Sequence, residues 1–478
     1  MRISLYSDYF YILNYQFMKM KIRRVLFVIT VLVLILQTIK ANVSIPEIFS
    51  DNMVLQRNSD IILWGWAKTG ETIVIKGDWM DKEATIQAGV QGTWKITIRT
   101  PVAGGPYNLH IRGTNEIILK NVLIGEVWLC SGQSNMEMSA QWGIDNGEEE
   151  IRNADYPQIR LFTVNTSTSN YPQQHLSGKW TICTPEEMKP FSAIGYFFAR
   201  KLYKELGVPV GIINSSWGGT PAESWMPEES TQNDKFLKEA AAKQKVVPWG
   251  PVEPARIYNA MIAPLIPFQI AGVLWYQGEA NTINAYAYKE MLTGLIKSWR
   301  SKWNYDFPFY FAQIAPYKYG NPMEGVIVRD AQRRALEVPN TGMVVLSDLC
   351  DTLNIHPKNK QDAALRLANL ALNRYYKAVK LEDSGPLFRE IIIDKNKAII
   401  TFDHSDGLHS ANDKLTYFEV AGADKIFYPA EAKIKDGKVI VQSKSVKVPV
   451  AVRFAWKNTA TPNLFNGANL PASCFTTE

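Results

Sequence analysis

The chain has 478 residues, of which 46% are hydrophobic and 21% charged, a composition typical of a folded globular protein and not of a disordered or collagen-like one. The length suggests about three domains. Residues 1–41 contain six Lys and Arg residues and one Asp, so the net charge of +6 belongs mostly to this segment. The rest of the chain is almost neutral, which gives no reason to expect nucleic acid or an anionic lipid surface as a partner.

The segment 1–41 has the features of a secretory signal peptide. Four basic side chains in residues 19–24 precede an apolar run over residues 25–36, which is shorter than the roughly 20 residues of a membrane-spanning helix. We therefore predict cleavage near residues 41–42 and a secreted or periplasmic protein, with a short membrane anchor as the alternative. The residues before Met18 do not resemble a signal, so translation is expected to start there or at Met20. No later stretch is apolar enough to span a membrane.

The four cysteines are Cys130, Cys183, Cys350 and Cys474, and their wide spacing excludes a disulfide scaffold. The sequence contains no C-x-x-C motif, which argues against a thiolate zinc site. Cys130 and Cys350 each close an apolar segment and are predicted to be small buried hydrophobic residues. We predict neither a metal site nor an organic cofactor.

Three regions differ in their patterning. Residues 42–120 consist of short β-branched and aromatic runs separated by Gly, Asp and Asn, which predicts a β-sandwich-like module. Residues 121–384 alternate continuous apolar runs with helical patterns, which predicts a three-layer α/β/α domain with a mainly parallel sheet. Within it, residues 221–262 are expected to form an irregular insertion or lid. Residues 385–478 return to a β pattern and predict a second β-sandwich-like module.

A serine follows the first continuous apolar run of the α/β region. The segment GEVWLCSGQSNMEMS predicts a buried strand, a turn and then a helix that begins near Ser134. This position is the edge at which α/β sheets bind ligands, and N–H groups at a helix start can stabilise an oxyanion. Ser134 is therefore a candidate nucleophile that requires a base, although a serine here also suits a helix N-cap. The absence of a G-x-S-x-G elbow argues against an ordinary α/β-hydrolase.

His356 is the histidine best placed to serve as that base. It follows the apolar run GMVVLSD, in the segment SDLCDTLNIHPKNK, and so lies on another strand-end loop, with Asp348 and Asp351 nearby. His404 and His409 lie in FDHSDGLHS, within the C-terminal β region. This segment is rich in Asp and His and could suggest a metal site, but we interpret it as a β-turn with solvated polar groups.

Four motifs carry a family resemblance: GQSNMEM, NSSWGGTPAESW, WYQGEAN and IHPKNK. In this order and spacing, the chain resembles the sialate O-acetylesterase branch of the SGNH hydrolases over nearly the whole sequence after residue 41. The flanking segments FSDNMVLQR and NLPASCF are also similar to those of the family. The resemblance implies an SGNH-hydrolase-like fold and a serine esterase that needs no cofactor.

The resemblance also implies roles for individual residues. Ser134 would be the nucleophile and His356 the general base. The oxyanion would be bound by the Ser134 N–H, by a glycine N–H of Gly218 or Gly219, and by the side-chain amide of Gln277 or Asn281. Three further residues of the same motifs are expected to contact the substrate or to hold the loops around it: Gln133, Trp217 and Glu279.

The third member of the triad is open. The superfamily pattern is Asp-x-x-His, but the residue three before His356 is Leu353, and the residue two before it is Asn354. We expect Asp351 to serve, with Asp348 or a Ser–His dyad as the alternatives. Asp406 and His409 fit the spacing but lie in the wrong module.

The resemblance leaves the sugar open. The expected substrate is O-acetylated sialic acid, and acetyl xylan or another acetylated polysaccharide is the alternative within the enzyme class. Trp217 and Trp225 are candidates for facing a sugar ring, whereas Trp275 lies in a buried strand and is expected in the core. A carbohydrate-binding protein without catalysis is the alternative of another class.

Overall fold

The computed structural model describes residues 4–35, 42–412 and 414–478. Helix α1 spans Ser4–Ile35. The predicted cleavage region falls partly on residues 36–41, outside the described residues, so the signal peptide stays a prediction. Within the described part of the chain, no helix combines the length and the apolar character that crossing a bilayer requires.

The N-terminal β region contains six strands that precede the central sheet. β2 to β5 alternate between more buried and more exposed side chains, as in β3, where Ile73 and Ile75 are fully buried. β2 pairs antiparallel with β5, and β3 pairs antiparallel with β4 and β6. The bounds are β1 Val54–Gln56, β2 Asp60–Trp66, β3 Thr72–Gly77, β4 Ala84–Gln87, β5 Thr93–Arg99 and β6 Gly104–Arg112.

One long strand, β7 (Glu116–Gly132), belongs to both the N-terminal β region and the α/β region. Its first half pairs antiparallel with β6 and parallel with β1. Its second half is continuously buried in the centre of the parallel sheet. The pattern changes within this strand because the first half has one exposed face, whereas the second half is covered on both faces.

The α/β region then continues through six strands and nine helices. Their bounds are α2 Ser134–Glu137, α3 Gly147–Arg152, β8 Tyr156–Val164, β9 Gly178–Cys183, α4 Pro185–Met188, α5 Ala193–Leu206, β10 Val210–Ser216, α6 Glu228–Gln232, α7 Lys235–Ala241, β11 Gly272–Tyr276, α8 Tyr288–Trp303, β12 Phe309–Ala312, α9 Glu324–Arg334, β13 Thr341–Val344 and α10 Lys360–Leu370. The strand order in the sheet is β13-β12-β11-β7-β10-β8-β9, and only β9 runs antiparallel to its neighbour.

Short 3₁₀ and π segments connect or extend these elements. The 3₁₀ segments are Ala140–Trp142, Ala222–Trp225, Ala263–Leu265, Glu279–Ala287 and Ala335–Glu337, and the π segments are Tyr258–Ile262 and Ala371–Tyr375. The region 221–262, expected to be irregular, contains two of them together with the short helices α6 and α7.

Helices cover both faces of the sheet because alternate side chains of the buried strands point to opposite sides. On one side, Trp128 and Cys130 of β7 share a core with Phe198 of α5 and Leu367 of α10. On the other side, the core contains Leu129 of β7 together with side chains of α8 and α9. Helix α5 begins at the Ser192 N-cap, whose hydroxyl accepts from the Gly195 N–H, and ends at Gly207 with φ 64°.

The C-terminal region consists of antiparallel sheets around a core of its own. Two four-stranded sheets have the orders β14-β15-β20-β19 and β18-β17-β21-β23, and β16 pairs with β22. The bounds are β14 Leu387–Asp394, β15 Lys397–Asp403, β16 His409–Ser410, β17 Phe418–Ala421, β18 Phe427–Pro429, β19 Glu431–Lys435, β20 Lys438–Gln442, β21 Ala451–Phe454, β22 Leu464–Phe465 and β23 Phe475–Thr476. A mainly parallel α/β/α domain with β-rich flanking regions confirms the predicted fold class.

Candidate active site

Ser134 lies where β7 ends and α2 begins. Gly132 closes the strand with φ +134°, and a Cβ there would come within 2.2 Å of the Tyr276 carbonyl oxygen on β11. Only glycine permits this approach. The Gln133 N–H donates to the same carbonyl at 3.0 Å, which fixes the turn against the neighbouring strand. As the first residue of α2, Ser134 has an N–H with no intrahelical acceptor, so this donor is available to a ligand.

The structure brings His356 to Ser134. The His356 Nε2 atom lies 2.8 Å from the Ser134 Oγ atom, although the two residues are 222 positions apart. The His356 backbone N–H donates to Asn354 Oδ1 at 2.9 Å, and the Trp142 ring packs edge-on against the imidazole. Burial, together with the nearby Lys360 charge, lowers the pKa of His356. Near neutral pH the imidazole is therefore unprotonated and can accept a proton from Oγ.

Neither predicted third member of the triad contacts this imidazole. The Asp351 carboxylate caps its own turn by accepting from the Leu353 N–H at 2.9 Å. The Asp348 carboxylate forms a bidentate ion pair with Arg366, at 2.5 and 2.7 Å. Among the described residues, His356 Nδ1 has no hydrogen-bond partner. The geometry is that of a Ser–His pair.

The two predicted glycine donors border the site but differ in availability. The Gly218 N–H donates to Glu137 Oε2 at 2.6 Å. Burial raises the pKa of Glu137, and the hydrogen bond from Gly218 opposes that shift. Gly219 has φ +72° and packs so closely under Trp249 that a Cβ would come within 2.2 Å of that ring. A carboxyl group, rather than open space, therefore faces the Gly218 donor.

Gln133 lines the cavity in front of Ser134. Its Oε1 atom accepts from the Gly278 N–H at 3.3 Å and from the Ala280 N–H at 3.2 Å. These contacts fix the orientation of the amide, and Nε2 has no partner among the described residues. Gln133 is only 3% exposed and lines the same cavity as Ser134. Its Nε2 is an unpaired side-chain donor on the residue that precedes Ser134.

Gln277 and Asn281, the amides expected in the oxyanion site, lie in a buried network instead. Gln277 Nε2 donates to the Thr220 carbonyl at 3.1 Å and to Asn281 Oδ1 at 2.8 Å. Asn281 Nδ2 donates to Glu223 Oε2 at 2.7 Å. Both amides are fully buried and hold the loop after β11 against the segment after β10. The structure does not bring either one to Ser134.

Glu279 belongs to a second buried group directly behind the Ser–His pair. Its Oε1 atom accepts from Asn135 Nδ2 at 2.6 Å, and Lys360 Nζ donates to Asn135 Oδ1 at 2.5 Å. Burial raises the pKa of Glu279, while burial lowers the pKa of Lys360 to about 7. Glu279 also borders the cavity, so it is adjacent to the substrate space as well as holding its loop.

The cavity in front of Ser134 has a volume of about 600 Å³ and an aromatic rim. Trp142, Trp217 and Trp249 line it, and Trp142 and Trp249 are 46% and 63% exposed. Trp217 Nε1 donates to the Trp249 carbonyl at 3.0 Å, which ties the segment directly after β10 to the irregular region 221–262. Trp225 and Trp275 are fully buried and pack edge-on against each other. Trp217 therefore lies at the site, whereas Trp225 belongs to the core.

The histidines of the C-terminal β region lie outside this cavity. His409 is in β16, and its Nδ1 lies 3.0 Å from the Gly407 carbonyl. His404 lies 2.7 Å from Glu382 and close to Asp383. These three residues form the single group within the described chain whose spacing would suit a metal ion. However, Asp383 is already ion-paired with Arg374. The arrangement is that of a paired acidic cluster.

Sequence reasoning missed five residues of the site: Asn135, Glu137, Trp142, Trp249 and Lys360. Three of them lie in motifs that were already singled out, GQSNMEM and IHPKNK. Polar residues within four positions of Ser134 or His356 were the available signal. Trp249 carried no such signal, because it reaches the site from the irregular region 221–262.

Comparison with known proteins identifies the family of this chain. A family model described as carbohydrate esterase, sialic acid-specific acetylesterase, matches residues 124–373. The sialate O-acetylesterase of Rattus norvegicus is 28% identical, covering 85% of this chain and 88% of the relative, and that of Homo sapiens is 29% identical, covering 78% of each. The crystal structure of a carbohydrate acetylesterase from Xanthomonas citri has a TM-score of 0.83 and 36% identity, covering 91% of this chain and 99% of the other. The resemblance found in the motifs is confirmed, and the chain belongs to the family of sialic acid-specific carbohydrate acetylesterases, which are carboxylic ester hydrolases.

Proposed function

We propose that this protein hydrolyses O-acetyl esters of sialic acid through an acetyl-enzyme on Ser134. The observation that carries the proposal is the 2.8 Å contact between Ser134 Oγ and His356 Nε2 at the base of a cavity with an aromatic rim. A hydroxyl hydrogen-bonded to an unprotonated imidazole is the arrangement that activates a serine nucleophile. The names of the curated relatives supply the substrate class, sialate esters.

The reaction follows from the two side chains. His356 Nε2 takes the Oγ proton as Oγ attacks the acetyl carbonyl carbon, and the C–O bond to the sugar breaks as the imidazolium gives its proton to the departing sugar oxygen. Water then attacks the acetyl-enzyme with His356 again as base, which releases acetate and restores Ser134. Since neither Asp351 nor Asp348 reaches the imidazole, we propose a dyad rather than a triad.

The oxyanion donors we propose are the Ser134 N–H and Gln133 Nε2. The turn fixes the Ser134 N–H, and the two hydrogen bonds that Gln133 Oε1 accepts fix the amide that carries Nε2. Gly219 borders the same space and its N–H is a third proposed donor, whereas the Gly218 N–H is already bonded to Glu137. Fixed donors of this kind lower the barrier because they are oriented before charge develops.

The aromatic rim is proposed to contact the sugar. Trp217 and Trp249 present ring surface to the cavity, and such rings pack on the apolar face of a pyranose. The neighbour from Xanthomonas citri is described only as a carbohydrate acetylesterase, so acetyl xylan or another neutral polysaccharide is the second candidate substrate. The basic and apolar segment of residues 19–36 supports a secreted or periplasmic location.

The test uses the purified chain with three substrates: p-nitrophenyl acetate, O-acetylated sialic acid and acetylated xylan. We expect acetate release from O-acetylated sialic acid, and loss of turnover in Ser134→Ala and His356→Ala. Mass spectrometry of a rapidly quenched reaction should find an acetyl group on the Ser134 peptide. If only acetylated xylan is hydrolysed, the proposed substrate is wrong. If the protein binds glycans but hydrolyses none of the three esters, the esterase function is wrong and the protein is a binding protein.

A further inference from the structure

Asn135 connects the two chain segments that carry the reacting side chains. It directly follows Ser134, and its Nδ2 atom donates at 3.0 Å to the carbonyl of Ile355, which directly precedes His356. The same nitrogen donates to Glu279 Oε1 at 2.6 Å, and Asn135 Oδ1 accepts from Lys360 Nζ at 2.5 Å. All the polar atoms of this amide are therefore used to join the β7, β11 and β13 strand-end loops.

The group is buried, which makes its location informative. Asn135 and Lys360 are 0% and 1% exposed, and the Lys360 ammonium also lies 5.2 Å from the centre of the Tyr276 ring. Within the described chain, Glu279 Oε2 has no hydrogen-bond partner. Buried charges are costly, and apolar residues of similar size commonly replace them without loss of stability. Their position behind the Ser–His pair therefore suggests a role other than stability.

We propose that Asn135, Lys360 and Glu279 hold His356 in line with Ser134 and so perform the positioning that a third carboxylate performs in a serine triad. The inference rests on the proposed esterase function. Asn135 fixes the distance between the two loops, Lys360 fixes the Asn135 amide from the start of α10, and Glu279 fixes it from the loop after β11. All three are positioning residues, since none of them contacts the reacting atoms.

The positive charge of Lys360 has a second effect that can be measured. It opposes protonation of His356 and so contributes to the lowered pKa of that imidazole. With a pKa of about 7, Lys360 is mostly charged in the range where His356 titrates. Glu279 is the charged group that acts on Lys360, and the Tyr276 ring packs against its ammonium. Glu137 of α2 lines the same cavity as His356. On the His356 loop and α10, the charged groups are engaged elsewhere: Asp348 with Arg366, Asp351 with the Leu353 N–H, and Asp362 with Asn359.

The first test compares two asparagines with matching contacts. Asn284 is also fully buried, and its Nδ2 also donates to a buried glutamate, Glu223, and to a backbone carbonyl, that of Ala240, at 3.1 and 3.0 Å. We expect Asn135→Ala to lower kcat for p-nitrophenyl acetate by about 10²-fold with little change in KM, because misplacing a reacting group by ~1 Å has an effect of this size. Asn284→Ala should lower the melting temperature comparably while kcat stays within about threefold of the parent.

The second test removes both charges together. Lys360→Met alone leaves Glu279 buried and uncompensated, so the double variant Lys360→Met with Glu279→Gln keeps the protein foldable. We expect the acid limb of its kcat/KM profile to move to higher pH, because the positive charge of Lys360 that opposes protonation of His356 is gone. Two results would overturn this inference alone, provided that the parent is active. One is a folded Asn135→Ala variant with the kcat of the parent, and the other is a double variant whose pH profile does not move. A parent that hydrolyses no ester overturns the proposed function instead.

Discussion

Gln133 allows the oxyanion site to be tested by changing a single atom. In Gln133→Glu, the retained oxygen still accepts from the Gly278 and Ala280 N–H groups, at 3.3 and 3.2 Å in the parent. The unpaired nitrogen becomes an oxygen, so a donor is replaced by an acceptor. The two backbone donors favour the ionised carboxylate, and measurement at pH 8 keeps it charged. The folded architecture should therefore survive while one stabilising contact to the oxyanion is lost.

We expect kcat for p-nitrophenyl acetate to fall by ~10²–10³-fold, the usual effect of losing one oxyanion donor. The melting temperature should stay close to that of the parent. Gln277→Glu is the contrasting variant, because Gln277 is fully buried and its nitrogen faces two acceptors, Thr220 O and Asn281 Oδ1. Gln277→Glu should lower the melting temperature, and kcat of its folded fraction should fall less than in Gln133→Glu. A folded Gln133→Glu variant with kcat within about threefold of the parent would refute the assignment.

Three further results are expected. His356 can act as a base only above its lowered pKa, so kcat/KM should fall only as the pH drops below ~6.5. A midpoint above that value in the pH profile would contradict the argument that burial lowers this pKa. Asp351→Asn should keep kcat within about tenfold, since asparagine can also accept from the Leu353 N–H, whereas a ~10⁴-fold loss would identify a triad acid. Glu137→Ala should lower kcat/KM by about tenfold, and Glu137→Gln should lower it much less because glutamine can still accept from the Gly218 N–H. A higher kcat/KM in Glu137→Ala would instead identify the freed Gly218 N–H as an oxyanion donor.

The meeting of Ser134 and His356 was predictable because it depends on topology. Parallel strands in one sheet end at the same edge, so residues after β7 and β13 can meet even though β11 and β12 lie between them. Helix α5 was predictable for a similar reason, since its apolar stripe and Gly207 are local features of the sequence. Elements with one strong periodic signal are specified by the chain itself.

The direction of a buried amide is not specified in this way. Gln133, Gln277 and Asn281 have equivalent chemistry in the sequence, and only the hydrogen bonds formed after folding separate a cavity donor from two loop supports. Lys360 illustrates the same limit, because a lysine in the first turn of a helix normally lies in solvent, yet here it is 1% exposed. Its ammonium contacts Asn135 of α2 and the Tyr276 ring of β11, both distant in sequence.

The shared strand β7 explains how Ser134 is held firmly. Its N-terminal half pairs with β6 and β1, and its C-terminal half pairs with β10 and β11, so the strand cannot shift in either region without breaking pairing in the other. A one-residue shift would also turn Trp128 and Leu129 to the wrong faces of the sheet. The turn at Gly132 then places Ser134 at a fixed height above the sheet edge. The N-terminal β region therefore supports the esterase site through backbone pairing, although none of its strands β1 to β6 lines the cavity.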